Sequence, residues 1–333
     1  MGTGTVSTSS IELSIVSPVY QGETLVHALV EQIALYAAGV TEDFEIILVD
    51  DGSPDGSWRE IEKHCKRDSR VKGIQLSRNF GQHYALTAGL DAANGRYVIV
   101  LDCDLQDHPK YIPVLYEKAL EGYDVVFTRK NRRAHGGKRN VFGRAFHRIL
   151  NFLVNEPTVR SDSVIGNYSL LTRPVVDAFL RMNDYYRHYL GLLRWLGFES
   201  TSIEIEHYER PEGRSSYTFA KLVHEAIIGI TSQSQRLLRL TIIGGFTFVG
   251  LSIVAILGLV VAYLIDGFAE GWTSVVVLNL ATTGVILVCI GVTGIYVGKT
   301  FDQTKNRPLY VVRTTLNLQR DPEAVPADRL PVP

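Results

Sequence analysis

Two long stretches of this 333-residue chain contain no charged side chain: residues 242–265 and residues 273–298. A helix needs about 20 consecutive apolar residues to cross the hydrocarbon core of a bilayer, and both stretches exceed that length. A pair of buried core helices in a soluble protein is the alternative, but soluble helices of this length seldom lack charge altogether. The sequence therefore predicts two transmembrane helices joined as a hairpin.

The charges that flank these stretches predict how the hairpin is oriented. The connector Asp266–Trp272 contains two acidic residues and no Lys or Arg, whereas basic residues lie on both outer flanks. Cytoplasmic loops of membrane proteins are enriched in Lys and Arg, so we expect both chain ends in the cytoplasm and the connector outside. The basic flanking residues are Arg236, Arg239, Lys299, Lys305, Arg307 and Arg313.

The composition excludes several classes of protein. The chain has 34 Lys and Arg against 35 Asp and Glu, a formal net charge of −1, and so lacks the basic excess of nucleic-acid-binding proteins. With 46% hydrophobic and 21% charged residues it does not resemble an intrinsically disordered chain. Its three cysteines are far apart and form no Cys-x-x-Cys pair, so neither a disulfide framework nor a zinc site is indicated.

The rest of the chain divides into segments of different character. Residues 1–10 are small and polar and predict a disordered N-terminus rather than a signal peptide. Residues 219–240 carry apolar positions at helical spacing together with basic residues, which predicts amphipathic helices in the membrane interface. Packing of these helices beneath the soluble domain is a compatible alternative. The expected order is a soluble domain at 11–218, interfacial helices at 219–240, a transmembrane hairpin at 241–299 and a cytoplasmic tail at 300–333.

Short apolar runs alternate with helical segments in the first part of the soluble domain. Runs such as Phe44–Val49 are typical of strands that are buried on both faces of a parallel sheet. Strands that alternate with helices predict an α/β fold with a mostly parallel, Rossmann-like sheet and helices on both faces. Five strands are expected, at Glu12–Val19, Phe44–Val49, Val71–Leu76, Arg96–Leu101 and Asp124–Thr128.

Acidic residues directly follow two of these strands. Asp102 and Asp104 follow the fourth strand, and residues i and i+2 of an extended segment point to the same face. Two such carboxylates suit Mg²⁺, which takes one or two carboxylates and completes its shell with water and substrate phosphates. Asp50 and Asp51 follow the second strand. Each pair alone is also typical of a surface turn, but both lie at strand ends, where parallel sheets bind their ligands.

Seven short motifs extend from the first strand to the tail. They are SIVSPVY at 14–20, ILVDDGSPDG at 47–56, SRNFG at 77–81, LDCDLQDHP at 101–109, YDVVFTR at 123–129, RPEGRSSY at 210–217 and NRPLY at 306–310. Together they resemble the family 2 glycosyltransferases of the GT-A fold, and most closely the polyprenyl-phosphate branch. That branch includes dolichol-phosphate mannose synthase and bacterial undecaprenyl-phosphate glucosyltransferases. The resemblance implies a GT-A catalytic domain.

The resemblance also implies roles for the matching residues. A nucleotide would be contacted by Pro18, Tyr20, Glu23, Asp50, Asp51 and Arg78. Mg²⁺ or Mn²⁺ would be held by Asp102, Asp104 and Gln106. The catalytic set would be Asp102, Asp104, Asp162, Arg129 and Arg210, and the acceptor phosphate would be met by Arg144, Arg214 and Ser215.

The implied reaction is transfer of a sugar from a nucleotide-diphosphate sugar to a polyprenyl phosphate such as undecaprenyl phosphate. The family favours a uridine nucleotide and inversion at the anomeric carbon. The product would be a lipid-linked monosaccharide for cell-envelope glycans, made at the cytoplasmic face of the inner membrane. Relatives of this kind suggest a homo-oligomer, a tetramer. The balanced charge of the chain argues against nucleic acid as a partner.

Three departures from the family pattern bear on substrate contacts. Ser216 stands where the family has Lys, the family segment G-D-F-R-L is GNYSL at 166–170, and Glu23 is shifted by one residue from the usual acidic position.

Two other functions stay open. A processive polysaccharide synthase shares this domain, but its Gln-x-x-Arg-Trp motif has Leu237 in place of Trp. A non-catalytic, membrane-anchored scaffold that binds nucleotide sugars is the second.

Overall fold

The computed structural model describes residues 11–130, 165–206, 236–266 and 271–318. These residues belong to two compact units. The first contains residues 11–130, 165–206 and 308–318, and the second contains residues 236–266 and 271–307. The predicted disordered N-terminus, residues 219–235 of the predicted interfacial helices and the tail beyond residue 318 lie outside the described residues.

The first unit is built on one sheet of eight strands. The strands are β1 (Leu13–Val19), β2 (Phe44–Asp50), β3 (Val71–Leu76), β4 (Tyr97–Val100), β5 (Val125–Lys130), β6 (Ile165–Thr172), β7 (Ser200–Ile205) and β8 (Val312–Leu316). Their order across the sheet is β7-β5-β6-β4-β1-β2-β3-β8. The four strands β4, β1, β2 and β3 are mutually parallel, whereas β6 and β8 run antiparallel to their neighbours. The predicted α/β class with a mostly parallel sheet is confirmed.

Helices cover both faces of this sheet. They are α1 (Val26–Ala38), α2 (Ser57–Arg67), α3 (Gln82–Ala92), α4 (Ile112–Leu120), α5 (Arg173–Arg181) and α6 (Tyr189–Leu196). Helices α1, α2 and α4 bury side chains such as Leu29, Ile61 and Leu115 in one apolar cluster. Helices α3, α5 and α6 bury Leu86 and Phe179 in a second cluster. The core therefore lies in two layers that fix the sheet between them.

Strands β1 and β2 owe their position inside the sheet to largely apolar sequence. Every residue of β1 and β2 is buried, as expected for strands covered on both faces. Their parallel register brings Val19 opposite Asp50, so both strands end at the same edge of the sheet. Pro18 lies beyond the last β1–β4 pair, Val16 with Val100, where a missing N–H costs no ladder bond to β4. The loops that follow β1, β2 and β4 thus start side by side.

Three strands of the sheet were not among the five that the sequence predicts. Strand β6 pairs antiparallel with both β4 and β5, β7 extends the sheet beyond β5, and β8 extends it beyond β3. Strand β8 comes from residues 312–316, inside the predicted tail at 300–333. Part of that tail is therefore a strand of the eight-stranded sheet.

The second unit consists of two long apolar helices that contact each other. Helix α7 spans Arg236–Asp266, with 31 residues, and α8 spans Trp272–Thr304, with 33 residues. Large apolar side chains are exposed on both helices, for example Phe246 at 75% and Val288 at 64%. Among the described residues, one segment is long and apolar enough to cross a membrane, Ala281–Thr304, with a mean hydropathy of 1.9. The second predicted span stays a prediction.

Candidate active site

The end of β2 places two buried carboxylates at the edge of the sheet. Asp50 accepts hydrogen bonds from the Ser53 backbone N–H at 3.1 Å and from the Gln75 side-chain amide at 3.3 Å. Asp51 accepts one from the Phe80 backbone N–H at 2.7 Å and one from the Gly81 backbone N–H at 2.9 Å. Both carboxylates are therefore fixed by groups from neighbouring segments.

Burial changes the acidity of both side chains. It raises the pKa of Asp50 above its ordinary value, although the hydrogen bonds from Ser53 and Gln75 act in the opposite direction. Burial also raises the pKa of Asp51 to about 6, because removal of water outweighs the two backbone N–H groups that bind its charged form. A pair of buried carboxylates at a strand end is more typical of a functional site than of a surface turn.

The turn that follows β3 packs directly on the β2 end. Gly52 has a φ of 63°, and a Cβ atom there would lie 2.5 Å from the Arg78 carbonyl carbon. Only glycine allows this close approach of the two backbones. Arg78 is exposed and its guanidinium carbon lies 4.2 Å from the centre of the Phe80 ring. The turn therefore presents a cation at the same edge as Asp50 and Asp51.

The chain after β1 is fastened to the segment after β2. Gly22 N–H donates to the Ser57 hydroxyl at 2.9 Å, and Gly56 N–H donates to the Glu23 carboxylate at 3.0 Å. Glu23 thus lies at this edge despite its shift in sequence. Tyr20 directly follows β1 and is 46% exposed, so its ring is available to a ligand.

The acidic motif after β4 folds into a tight turn. Leu105 adopts a φ of 56°, and the Gln106 backbone N–H donates to the Asp104 carboxylate at 3.2 Å. The Gln82 side-chain amide donates to Asp102 at 2.6 Å. Because Phe80 and Gly81 bind Asp51, three consecutive residues connect Asp51 to Asp102. The structure therefore brings the two predicted acidic pairs to one site.

Asp102 lies in an electrostatically negative environment. Its pKa is raised to about 6, first by burial and then by the nearby charges of Asp104 and Asp107, while Lys130 acts in the opposite direction. Within the described ranges, no set of three or more His, Cys, Asp and Glu side chains is arranged to hold a metal ion alone. Excess negative charge with few protein ligands fits a divalent cation that takes its other ligands from substrate phosphates and water.

The remaining predicted residues are placed in part. Arg129 is exposed near the end of β5, two strands from β4 across the sheet, and Pro18 is buried in β1. Five predicted residues lie outside the described residues: Asp162, Arg144, Arg210, Arg214 and Ser215. Ser216, which replaces the family Lys, also lies there.

Sequence reasoning missed the roles of three side chains around Asp102, which are Gln82, Asp107 and Lys130. Gln82 is the first residue of α3, and its contact with Asp102 depends on how α3 meets the end of β4. The Lys130 ammonium lies 3.5 Å from the buried carboxylate of Asp107. The position of Gln82 directly after the motif at 77–81 is a signal that could have drawn attention to it, and Lys130 likewise follows the motif at 123–129.

Comparisons with known proteins identify the family. Residues 14–171 match Glycosyl transferase family 2. The uncharacterized glycosyltransferase YkcC of Bacillus subtilis is 34% identical over 313 residues, which cover 93% of this chain and 95% of that protein. The chain belongs to glycosyltransferase family 2. The resemblance to this family found in the sequence motifs is thereby confirmed.

A second relative is similar over nearly the whole chain. The undecaprenyl-phosphate 4-deoxy-4-formamido-L-arabinose transferase of Proteus mirabilis is 32% identical over 320 residues, covering 93% of this chain and 95% of that protein. Among solved structures, glucosyl-3-phosphoglycerate synthase from Mycobacterium tuberculosis in complex with Mn²⁺ and uridine-diphosphate-glucose has a TM-score of 0.46 and 17% identity, covering 68% of this chain and 79% of that chain.

Proposed function

We propose that this family 2 glycosyltransferase transfers a sugar from a nucleotide-diphosphate sugar, with uridine as the base, to a polyprenyl phosphate. The observation that carries the proposal is the link between Asp51 and Asp102 through the consecutive residues Phe80, Gly81 and Gln82. This link joins a site for the nucleoside to a site for the diphosphate within one sheet edge. The product would be a lipid-linked monosaccharide for cell-envelope glycans.

Asp102, Asp104 and Gln106 would hold Mg²⁺ or Mn²⁺ at this edge. Such an ion offsets the negative charge that develops on the departing nucleotide diphosphate. The negative surroundings of Asp102 support this role, since Asp104 and Asp107 both raise its pKa. Gln82 holds the Asp102 carboxylate in place, and Lys130 limits the repulsion from Asp107.

The nucleotide would lie along the ends of β1, β2 and β3. Asp50 and Glu23 would bind the nucleoside, Tyr20 would pack on it, and Arg78 would meet its phosphates. These groups are fixed before a ligand arrives, because hydrogen bonds tie the loops after β1 and β3 to the loop after β2. Such preorganisation reduces the cost of orienting the donor.

The acceptor phosphate would attack the anomeric carbon of the sugar. A new bond forms between that carbon and a phosphate oxygen, and the bond between the carbon and the nucleotide diphosphate breaks, with inversion. A phosphate is already anionic near neutral pH, since its second pKa is about 6, so it needs little help from a general base. Cationic side chains would position it, and the candidates are Arg129, Arg144, Arg210 and Arg214. Ser215 is proposed as a further ligand of the acceptor phosphate, and Asp162 as a further catalytic residue.

The membrane helices support a lipid acceptor. Helix α8 contains a segment that can cross a bilayer, and relatives of similar length are named undecaprenyl-phosphate transferases. We propose that α7 is the second span, that the catalytic domain and both chain ends face the cytoplasm, and that the protein is a multi-pass protein of the inner membrane. We also propose that interfacial helices at 219–240, whose last five residues begin α7, hold the site near the lipid headgroups and that the chain assembles as a tetramer.

A transfer assay tests the proposal. The full chain in detergent is incubated with labelled uridine-diphosphate sugars, undecaprenyl phosphate and Mg²⁺ or Mn²⁺, and Asp104→Asn serves as the inactive control. Label that becomes soluble in chloroform, and that disappears when the metal is chelated, is the expected result. A long water-soluble polymer would instead identify a polysaccharide synthase, and nucleotide binding without transfer to any acceptor would identify a scaffold.

A further inference from the structure

Strand β8 is the last described strand of the chain, and it lies outside the part that matches the family, residues 14–171. It pairs antiparallel with β3, from Gly73 opposite Leu316 to Leu76 opposite Val312. The pairing continues past the end of β3, because the Ser77 backbone N–H donates to the Val311 carbonyl at 2.9 Å. Strand β8 therefore contacts β3 as far as the start of the turn at 77–81.

Two side chains fasten the ends of β8 to the catalytic domain. The Tyr310 hydroxyl donates to the Asp91 carboxylate of α3 at 2.9 Å. The Asn317 side-chain amide donates to the carbonyls of Cys65 at 2.7 Å and Val71 at 2.8 Å. Asn317 has a φ of 57°, a conformation that asparagine tolerates better than most residues. The two anchors hold β8 on both sides of its pairing with β3.

The elements that β8 holds are those that bind the acidic pair after β2. Gln75, which lies opposite Thr314 of β8, donates to Asp50. Ser77, which is bonded to Val311, begins the turn whose Phe80 and Gly81 N–H groups bind Asp51. Hydrogen bonds therefore run from β8 through β3 and its turn to both carboxylates.

We propose that β8 is a positioning strand of the nucleotide site, so that docking of β8 on β3 and binding of the nucleotide stabilise each other. The inference rests on the proposed function for the identity of the ligand. Tyr310 and Asn317 are positioning residues that act through β3 and the turn at 77–81. Because coupling between two binding events is reciprocal, each event must strengthen the other by the same factor.

The double substitution Tyr310→Phe with Asn317→Gly tests the first half of the coupling. It removes both anchors, and glycine keeps the backbone conformation at position 317. Thr314→Ala, at an exposed position in the middle of β8, is the matched control. Hydrogen exchange of the full chain in detergent, without nucleotide, should become at least tenfold faster at 312–316 and at 77–81 in the double variant. The dissociation constant of uridine diphosphate with Mn²⁺ should rise about fivefold, and the control should match the wild type.

Hydrogen exchange of the wild-type chain tests the reciprocal half without any substitution. Saturating uridine diphosphate with Mn²⁺ should slow exchange at 312–316 about fivefold. This is the factor by which loss of β8 docking is expected to raise the dissociation constant. The inference would be overturned if the double variant exchanged faster at 312–316 but unchanged at 77–81. It would also be overturned if nucleotide left the exchange of the wild type at 312–316 unaltered. If the wild type binds no nucleotide, the proposed function fails, whereas the ligand-free exchange at 77–81 still decides the role of β8.

Discussion

Asp51→Asn removes the charge that holds the turn at 77–81 while it keeps the size of the side chain. Asp51 is 3% exposed and accepts two backbone N–H groups, from Phe80 and Gly81. An asparagine can accept only one of these bonds and turns an N–H group toward the other donor. We expect nucleotide affinity at pH 7 to fall about tenfold, since one backbone N–H group loses its acceptor, at about 1–3 kcal/mol.

The same substitution should also change how the free energy of unfolding depends on pH. Burial raises the pKa of Asp51 from 3.8 to about 6, so the folded chain binds this proton more tightly than the unfolded chain. The stabilisation by that proton is complete below the unfolded pKa and is lost as the pH rises through about 6. Between pH 7 and pH 5, the linkage relation gives wild type a gain of about 1.4 kcal/mol that Asp51→Asn cannot show.

Denaturation followed by tryptophan fluorescence measures the difference. Trp58 of α2 packs near Gly73 of β3 and reports on the catalytic domain. The gap in unfolding free energy between wild type and Asp51→Asn should move by about 1.4 kcal/mol in favour of wild type from pH 7 to pH 5. The variant Asp43→Asn, which removes an exposed carboxylate, gives the background for the loss of one charge. A gap that stays constant, or that moves in favour of Asp51→Asn, would refute the reasoning.

Three further predictions concern the same edge of the sheet. Asp104→Ala should lower transfer at least about a hundredfold with an unchanged melting temperature, because a bound cation contributes several kcal/mol to the transition state; activity above a tenth of wild type argues against the metal role. Gln82→Ala should lower transfer about tenfold, because Asp102 loses its hydrogen bond from the Gln82 amide. Gln82→Glu should lower transfer further, because a second carboxylate would then face Asp102. Equal rates for the two variants would contradict this reason. Gly52→Ala should cost at least about 2 kcal/mol of stability, because of its φ of 63° and its contact with the Arg78 backbone. Gly39→Ala, at a φ of −72°, is the control and should be nearly neutral.

Local sequence patterns predicted the centre of the sheet well and its margins poorly. The apolar run at Phe44–Val49 appears in the structure as a strand at Phe44–Asp50, because a strand buried on both faces must be apolar throughout. Strand β6, Ile165–Thr172, contains the polar residues Asn167, Tyr168 and Ser169 and gives no such signal. Strand β8 is found far along the chain, and its pairing with β3 depends on a contact that no local pattern records.

The candidate site was predictable to the extent that motifs mark its residues. The acidic pairs at 50–51 and 102–104 were expected at strand ends, and the structure gathers them at one edge. The role of Gln82 was not predictable, because it depends on where the first turn of α3 lies relative to β4. Lys130 is the last residue of β5 and Asp107 lies in the segment after β4, and only the folded chain brings their charges within 3.5 Å.

The late position of β8 in the chain has a consequence for biosynthesis. A ribosome completes β1 to β7 and both apolar helices before it makes residues 312–316. Until then β3 is an unprotected edge strand, and unpaired strand edges in nascent chains promote aggregation. Completion of the sheet therefore waits until both apolar helices have been made, and chains that stall before residue 312 should be targets for chaperones and proteases.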